Sequence, residues 1–165
     1  MTRFDPERSL RVLTDHGVRF VVIGGVAGAA LGSPSVTQDL DICPDRSPEN
    51  LERLAGALAA LGATLRGVDE DVPFRLDAST LATGDHFTFS TAAGDLDCLG
   101  TPAGTEGYED LMQSATVVDL GGFEVAFVAL DDLIRMKRAA GRAKDRAELE
   151  ILGALRDEIE GVSHN

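Results

Sequence analysis

Positive charge is scarce in this chain of 165 residues. Lysine and arginine together number 15, of which two are lysines, against 28 aspartates and glutamates, and the formal net charge is −13. This balance favours solubility and opposes broad, nonspecific binding to nucleic acids, because such binding depends on many contacts between cations and phosphates. Any nucleic-acid partner therefore requires a local basic patch.

Cysteines and long apolar runs are also few. Cys43 and Cys98 lack the C-x-x-C spacing of a zinc site, and buried, reduced side chains are the better interpretation. The first residues lack the apolar segment of a signal peptide, and the apolar run 18–31 is too short and too rich in glycine to span a bilayer. We therefore expect a cytoplasmic protein without membrane contact.

The composition predicts one domain over residues 1–165, because 44% of the residues are hydrophobic and no proline- or serine-rich linker divides the chain. Caps, glycines and apolar periodicity predict helices over 5–16, 26–31, 48–61, 108–115, 131–140 and 144–159. Strands are predicted over 18–23, 37–43, 63–66, 86–91, 95–99, 116–120 and 123–128. No structure is predicted for 67–85. We expect an α/β (α+β) fold, with a mixed sheet backed by helices over 1–128 and a small C-terminal helical lobe over 129–165.

Carboxylates follow a glycine pair in the sequence. Gly24 and Gly25 end the first apolar strand, and Asp39 and Asp41 lie one residue apart in the second. Alternate side chains share a face of a strand, so the two carboxylates point the same way, with Cα atoms about 7 Å apart. Asp97, in a later strand, adds a third carboxylate. Since Mg²⁺ prefers one or two carboxylates together with phosphate oxygens, the pattern predicts a site for Mg²⁺ and a triphosphate.

Two alternative interpretations of these residues stay open, whereas the known nucleotide- and calcium-binding motifs match them poorly. A solvated strand edge is the alternative for the aspartate pair, and an ordinary tight turn is the alternative for the glycines alone. The stretch 24–32 fits neither G-x-G-x-x-G nor a P-loop. Asp39, Asp41 and Asp45 resemble the start of an EF-hand loop, but Cys43 and the missing turn glycine argue against calcium. We expect Asp95 to shape the hairpin turn after Gly94; because it shares a strand face with Asp97, a supporting role at the site is the alternative.

The glycine pair, 13 intervening residues and a strand of alternating hydrophobic and aspartate residues together resemble the nucleotidyltransferase fold of the DNA polymerase β superfamily. Segments 94–100 and 130–145 are similar to those of the AbiEii/MenT-type nucleotidyltransferase toxins of bacterial toxin–antitoxin systems. The resemblance covers most of the chain. One departure is Ser35, which stands where members often carry an arginine, so that arginine's contacts to phosphate or substrate have no counterpart here.

The resemblance implies transfer of a nucleoside monophosphate from a nucleoside triphosphate to an acceptor hydroxyl, with Mg²⁺ as cofactor and release of pyrophosphate. It implies that the catalytic and metal-binding carboxylates are Asp39, Asp41 and Asp97, and that Lys137 stabilises the departing pyrophosphate. The residues expected to bind the nucleotide are Gly24, Gly25, Ser33, Lys137, Arg142 and Lys144. The histidines are scattered and receive no role.

A basic cluster lies near the C-terminal end of the chain; its members are Arg135, Lys137, Arg138, Arg142, Lys144 and Arg146. A solvated helix end accounts for most of them, and Lys137 is the exception. By the resemblance, the cluster faces the 3′ end of transfer RNA, whose modification blocks translation, and an antitoxin protein is the expected partner. Modification of a protein hydroxyl or of a small molecule such as an aminoglycoside is an alternative, as is a catalytically silent binding module.

Overall fold

The structure is a computed structural model that describes residues 2–69 and 73–163, with side chains described through residue 161. Within these residues the helices are α1 (Pro6–Asp15), α2 (Gly24–Ala30), α3 (Pro48–Ala60), α4 (Ala78–Ala82), α5 (Tyr108–Met112), α6 (Leu130–Ala140) and α7 (Ala143–Ser163). The strands are β1 (Phe20–Ile23), β2 (Asp39–Pro44), β3 (Thr64–Leu65), β4 (His86–Thr91), β5 (Gly94–Leu99), β6 (Thr116–Asp119) and β7 (Glu124–Phe127).

The strands of the described residues form one mixed sheet in the order β3-β4-β5-β2-β1-β7-β6. β1 is antiparallel to β2 and parallel to β7, and β2 is parallel to β5. The predicted hairpins β4–β5 and β6–β7 therefore flank a central β1–β2 pair. The expected mixed sheet backed by helices is confirmed.

The core lies under the central strands. All four residues of β1 are buried, and in β2 Leu40 and Ile42 have no exposed surface while the aspartates alternate with them on the other face. This is the alternation that the period of two predicts for a half-buried strand. β2 therefore buries its apolar side chains and presents Asp39 and Asp41 together.

Several element boundaries differ from those predicted. Gly24 and Gly25 form the first turn of α2 instead of a separate turn before it, and Gly24 has a positive φ of 69°. β3 has 2 residues where four were expected. The five-residue helix α4 was not predicted; its N-cap, Asp77, accepts a hydrogen bond from the Thr80 amide. α4 is too short to show a helical repeat in the sequence.

Asn50 joins the central strands to α3. Its side chain is fully buried; Oδ1 accepts from the Arg19 amide at 2.7 Å, and Nδ2 donates to the carbonyls of Arg19 and Asp45 at 3.0 and 2.6 Å. We expect Asn50→Ala to lower the free energy of unfolding by about 2–3 kcal/mol, since buried backbone groups lose their partners. Urea unfolding measures this change. Glu52→Ala, on the exposed face of the same helix, should change it by about 0.5 kcal/mol or less; equal effects would contradict the prediction.

Candidate active site

Three carboxylates meet where β2 and β5 lie side by side. The parallel register places Asp39 opposite Asp95 and Asp41 opposite Asp97. One carboxylate oxygen from each of Asp39, Asp41 and Asp97 lies within 4.8 Å of the others. The predicted acidic residues therefore share one site, which we call the carboxylate triad.

The triad concentrates negative charge in a partly buried place. Burial first, and then the nearby charges of Asp39 and Asp97, raise the pKa of Asp41 from 3.8 to about 7, while the charge of Lys137 opposes them. Burial likewise raises the pKa of Asp97. Hard carboxylate oxygens that repel one another at this spacing fit a divalent cation such as Mg²⁺, which prefers oxygen ligands.

The glycine pair allows α2 to begin directly against the triad. A Cβ atom on Gly24 would lie 2.2 Å from Oδ2 of Asp41, and one on Gly25 would lie 2.7 Å from Cβ of Thr37. Thr37 in turn donates a hydrogen bond from Oγ1 to Oδ1 of Asp39 at 3.1 Å. Glycine at both positions therefore makes room for the side chains that form and hold the triad.

A cavity of about 490 Å³ opens at the triad. Its lining includes all nine residues that the sequence placed in the site: Gly24, Gly25, Ser33, Asp39, Asp41, Asp97, Lys137, Arg142 and Lys144. The sheet supplies the carboxylates, while α6 and α7 supply the lysines on the facing wall. The structure thus brings these residues to one cavity, and their individual roles stay predictions.

Lys137 reaches the cavity from α6 within an ion-pair network. Its Nζ lies 2.7 Å from Glu148 and 3.4 Å from Asp145. Asp145 is fully buried and also accepts hydrogen bonds from the amide and Nε of Arg142. The hydrogen bonds with Arg142 lower the pKa of Asp145 to about 2, so Asp145 stays ionised at neutral pH. Its negative charge holds Lys137 and Arg142 near the start of α7.

The basic cluster is not one free cationic surface. In addition to the pairs of Lys137 and Arg142 with Asp145, Arg135 pairs with Asp110 at 3.2 Å and with Asp132 at 3.1 Å. Among the described residues, the exposed members without an ion pair are Arg138, Lys144 and Arg146. Half of the cluster is therefore compensated by acidic groups of the same protein, which counting cations along the sequence did not show.

Arg66 is a site residue that the sequence analysis missed. Its Nη2 donates to Oδ1 of Asp97 at 2.9 Å, and its Nη1 lies 3.2 Å from Oδ2 of Asp95. Asp95 thus shares Arg66 with Asp97, as the alternative role beside Asp97 implies, while the Thr91 hydroxyl closes the turn onto the Gly94 carbonyl. No sequence signal identified Arg66, since it follows a strand of only two residues whose pairing with β4 is not local.

Comparison with models of protein families gives no match, and comparison with curated proteins gives none. Solved structures do match. A Thermotoga maritima protein described as a nucleotidyltransferase is similar at a TM-score of 0.56 and 18% identity, over 90% of this chain and 94% of its own. The lincosamide antibiotic adenylyltransferase LnuA, bound to lincomycin, is similar at a TM-score of 0.58 and 11% identity, over 93% of this chain and 99% of its own.

This chain has the nucleotidyltransferase fold. The two neighbours cover almost the whole of it, from the sheet to the C-terminal helices. Their fold is the one that the sequence resemblance implies, whereas the superfamily and the AbiEii/MenT toxin type stay predictions. Within the residues that the structure describes, every helix falls short of the length and apolarity needed to cross a bilayer.

Proposed function

We propose that the protein is a Mg²⁺-dependent nucleotidyltransferase that transfers a nucleoside monophosphate from a nucleoside triphosphate to an acceptor hydroxyl. The observation that carries this proposal is the convergence of Asp39, Asp41 and Asp97 within 4.8 Å of one another beside the Gly24-Gly25 turn. The nucleotidyltransferase fold supports it, because the neighbours with this fold include an enzyme named as an adenylyltransferase.

Each group of residues in the site has its own proposed role in an in-line displacement at the α-phosphate. Asp39 and Asp41 would hold Mg²⁺, which would neutralise triphosphate charge and align the α-phosphate. Asp97 would help to hold the metal and would favour deprotonation of the attacking hydroxyl. The acceptor oxygen bonds to the α-phosphorus as the bond to the bridging oxygen breaks, and pyrophosphate leaves with that oxygen. Gly24, Gly25, Ser33, Arg142 and Lys144 line the phosphate pocket, and the charge of Lys137 stabilises the leaving group.

The acceptor that we propose is the 3′ end of transfer RNA, whose modification would stop translation, with an antitoxin as the protein's partner. The resemblance of segment 130–145 to the AbiEii/MenT-type toxins supports this acceptor. So do the three exposed cations that form no ion pair with another described residue, Arg138, Lys144 and Arg146, of which Lys144 also lines the cavity. Contacts of such cations to phosphates position an RNA end without reading its sequence.

A cationic small molecule is the second candidate acceptor. The net charge of −13 favours a positively charged partner over a polyanion. Half of the basic cluster is also compensated internally, which weakens its attraction for RNA. The lincosamide adenylyltransferase LnuA shows that this fold accommodates an antibiotic.

Incubation with labelled nucleoside triphosphates and Mg²⁺ tests the reaction and the acceptor together. We expect label in transfer RNA, abolished by EDTA and reduced by about 10³-fold in Asp39→Asn, since metal contacts supply several kcal/mol to the transition state. Asp157→Asn, on the exposed side of α7, should transfer at the wild-type rate.

The distribution of the label decides between the candidates. Label in an aminoglycoside, a lincosamide or a protein, and none in RNA, would move the acceptor to that class and leave the reaction standing. No product with any acceptor, together with no thermal shift on adding Mg²⁺ and nucleotide, would contradict the proposed function and favour a silent binding module, because a ligand of the folded state must stabilise it.

A further inference from the structure

Arg66 lies at the outer side of the carboxylate triad. Its guanidinium contacts three oxygens: Oδ1 of Asp97 at 2.9 Å, Oδ2 of Asp95 at 3.2 Å and the Phe89 carbonyl at 3.3 Å. Its backbone amide donates to the Thr88 carbonyl at 2.9 Å. Backbone and side chain are thus both anchored to the β4–β5 hairpin, and the guanidinium has a defined position beside Asp97.

The charge of Arg66 changes the electrostatics of the triad. Among the described residues it is the cation that forms an ion pair with a member of the triad, whereas Lys137 pairs with Asp145 and Glu148 instead. Because Asp95 shares the same guanidinium, the triad and Asp95 together with Arg66 carry a formal charge of −3. Without the guanidinium these carboxylates carry −4, and a second divalent ion is attracted more strongly.

We propose that Arg66 is a built-in counter-cation of the triad, which limits the site to one divalent ion until nucleotide binds and holds Asp97 in its working orientation. The inference rests on the proposed function, since it assigns the metal stoichiometry of that same site. Nucleotide phosphates would then supply the negative charge that a second ion requires. Arg66 acts through Asp97 and touches no reacting atom, so it is a positioning residue.

Replacing Arg66 with a neutral residue should change two properties in opposite directions: the affinity for divalent ions should rise, and kcat should fall. A unit charge about 6 Å from a divalent ion alters its affinity about tenfold even at the dielectric constant of water. Arg66→Gln should therefore bind divalent ions about tenfold more tightly in the absence of nucleotide. Its kcat should fall about tenfold or more, because Asp97 loses the contact that orients it. A merely structural residue would weaken both binding and turnover when replaced.

Electron paramagnetic resonance of free Mn²⁺ measures the binding on the full chain without nucleotide. We expect one tight Mn²⁺ per wild-type chain, and in Arg66→Gln a tighter first ion with a second one detectable. Arg66→Lys keeps the positive charge, so its Mn²⁺ affinity should stay within about twofold of wild type. It lacks the planar guanidinium that contacts Asp95 and Asp97 together, so its kcat should fall. Arg66→Met replaces the glutamine variant if that variant does not fold.

Two control variants distinguish failure of this inference from failure of the proposed function. Arg75→Gln removes an exposed arginine that pairs with Asp77, and it should change neither Mn²⁺ affinity nor kcat. Asp41→Asn should remove the tight Mn²⁺ and so locate it at the triad. If the wild type transfers nucleotide and binds Mn²⁺ there, but the neutral Arg66 variants bind it equally or more weakly, the inference is overturned. If the wild type shows no Mn²⁺ that depends on Asp41, the proposed function itself fails.

Discussion

Replacing Asp41 with asparagine should abolish nucleotidyl transfer and at the same time stabilise the metal-free protein. Activity should fall about 10³-fold or more, because the carboxylate is a proposed ligand of Mg²⁺. Stability should rise, because burial and the charges of Asp39 and Asp97 disfavour the ionised form of Asp41 in the folded state. The amide keeps the size of the side chain and removes the charge.

The pH dependence of this gain follows from the raised pKa of Asp41. Its folded-state pKa of about 7 exceeds the unfolded value of 3.8. The protonated group therefore contributes stability that is fully present below about pH 4 and is lost as the pH rises through 7. At pH 8 this loss is on the order of 4 kcal/mol in the metal-free wild type, and the asparagine variant avoids it at every pH.

Urea unfolding in EDTA at pH 5, 6, 7 and 8 measures the effect. The difference between Asp41→Asn and wild type should grow with pH, and added Mg²⁺ should stabilise the wild type alone. Asp157→Asn controls for loss of a negative charge on an exposed helix and should show no such growth. A variant no more stable than the wild type at pH 8 would show that Asp41 is not held among like charges.

Local patterns were sufficient to predict two of the three members of the triad. Alternation along β2 predicted that Asp39 and Asp41 share a face while Leu40 and Ile42 are buried, and the structure confirms both statements. The position of Asp97 beside this pair does not follow from a local pattern. It depends on the parallel pairing of β2 with β5, between segments more than fifty residues apart. The sequence offered Asp97 as a third carboxylate, and the resemblance to nucleotidyltransferases assigned it to the site, but no local pattern indicated the pairing itself.

Features that depend on distant partners escaped prediction for the same reason. Arg66 follows a two-residue strand, and its contacts with Asp95 and Asp97 exist only after β3 pairs with β4 and β4 pairs with β5. The basic cluster was counted along the chain, whereas the partner of Arg135 on α5 and the shared acid Asp145 became visible only in three dimensions. Ion pairing is thus the part of the site about which the sequence was least informative.

Replacing Gly24 with alanine should abolish the proposed nucleotidyl transfer through a steric collision. The new Cβ atom would lie 2.2 Å from Oδ2 of Asp41 and 3.0 Å from its Cβ. Real side chains do not tolerate the first distance, so either Asp41 turns away from the triad or α2 moves from the strand. Displacement of a catalytic group by about 1 Å costs about 10²-fold in rate. We expect at least that loss of transfer, together with loss of the thermal shift on adding Mg²⁺.

The positive φ of Gly24 adds backbone strain, and a matched variant separates strain from collision. Gly17 has a φ of 72°, similar to the 69° of Gly24, but a Cβ there would meet only the Arg53 side chain, at 3.7 Å or more. Gly17→Ala should therefore cost about 1–2 kcal/mol of stability, as a left-handed residue does, and leave transfer and the Mg²⁺ shift intact. If both variants lose activity equally, strain and not contact with Asp41 is the cause. If Gly24→Ala retains activity, the close approach of α2 to the triad is not needed for catalysis.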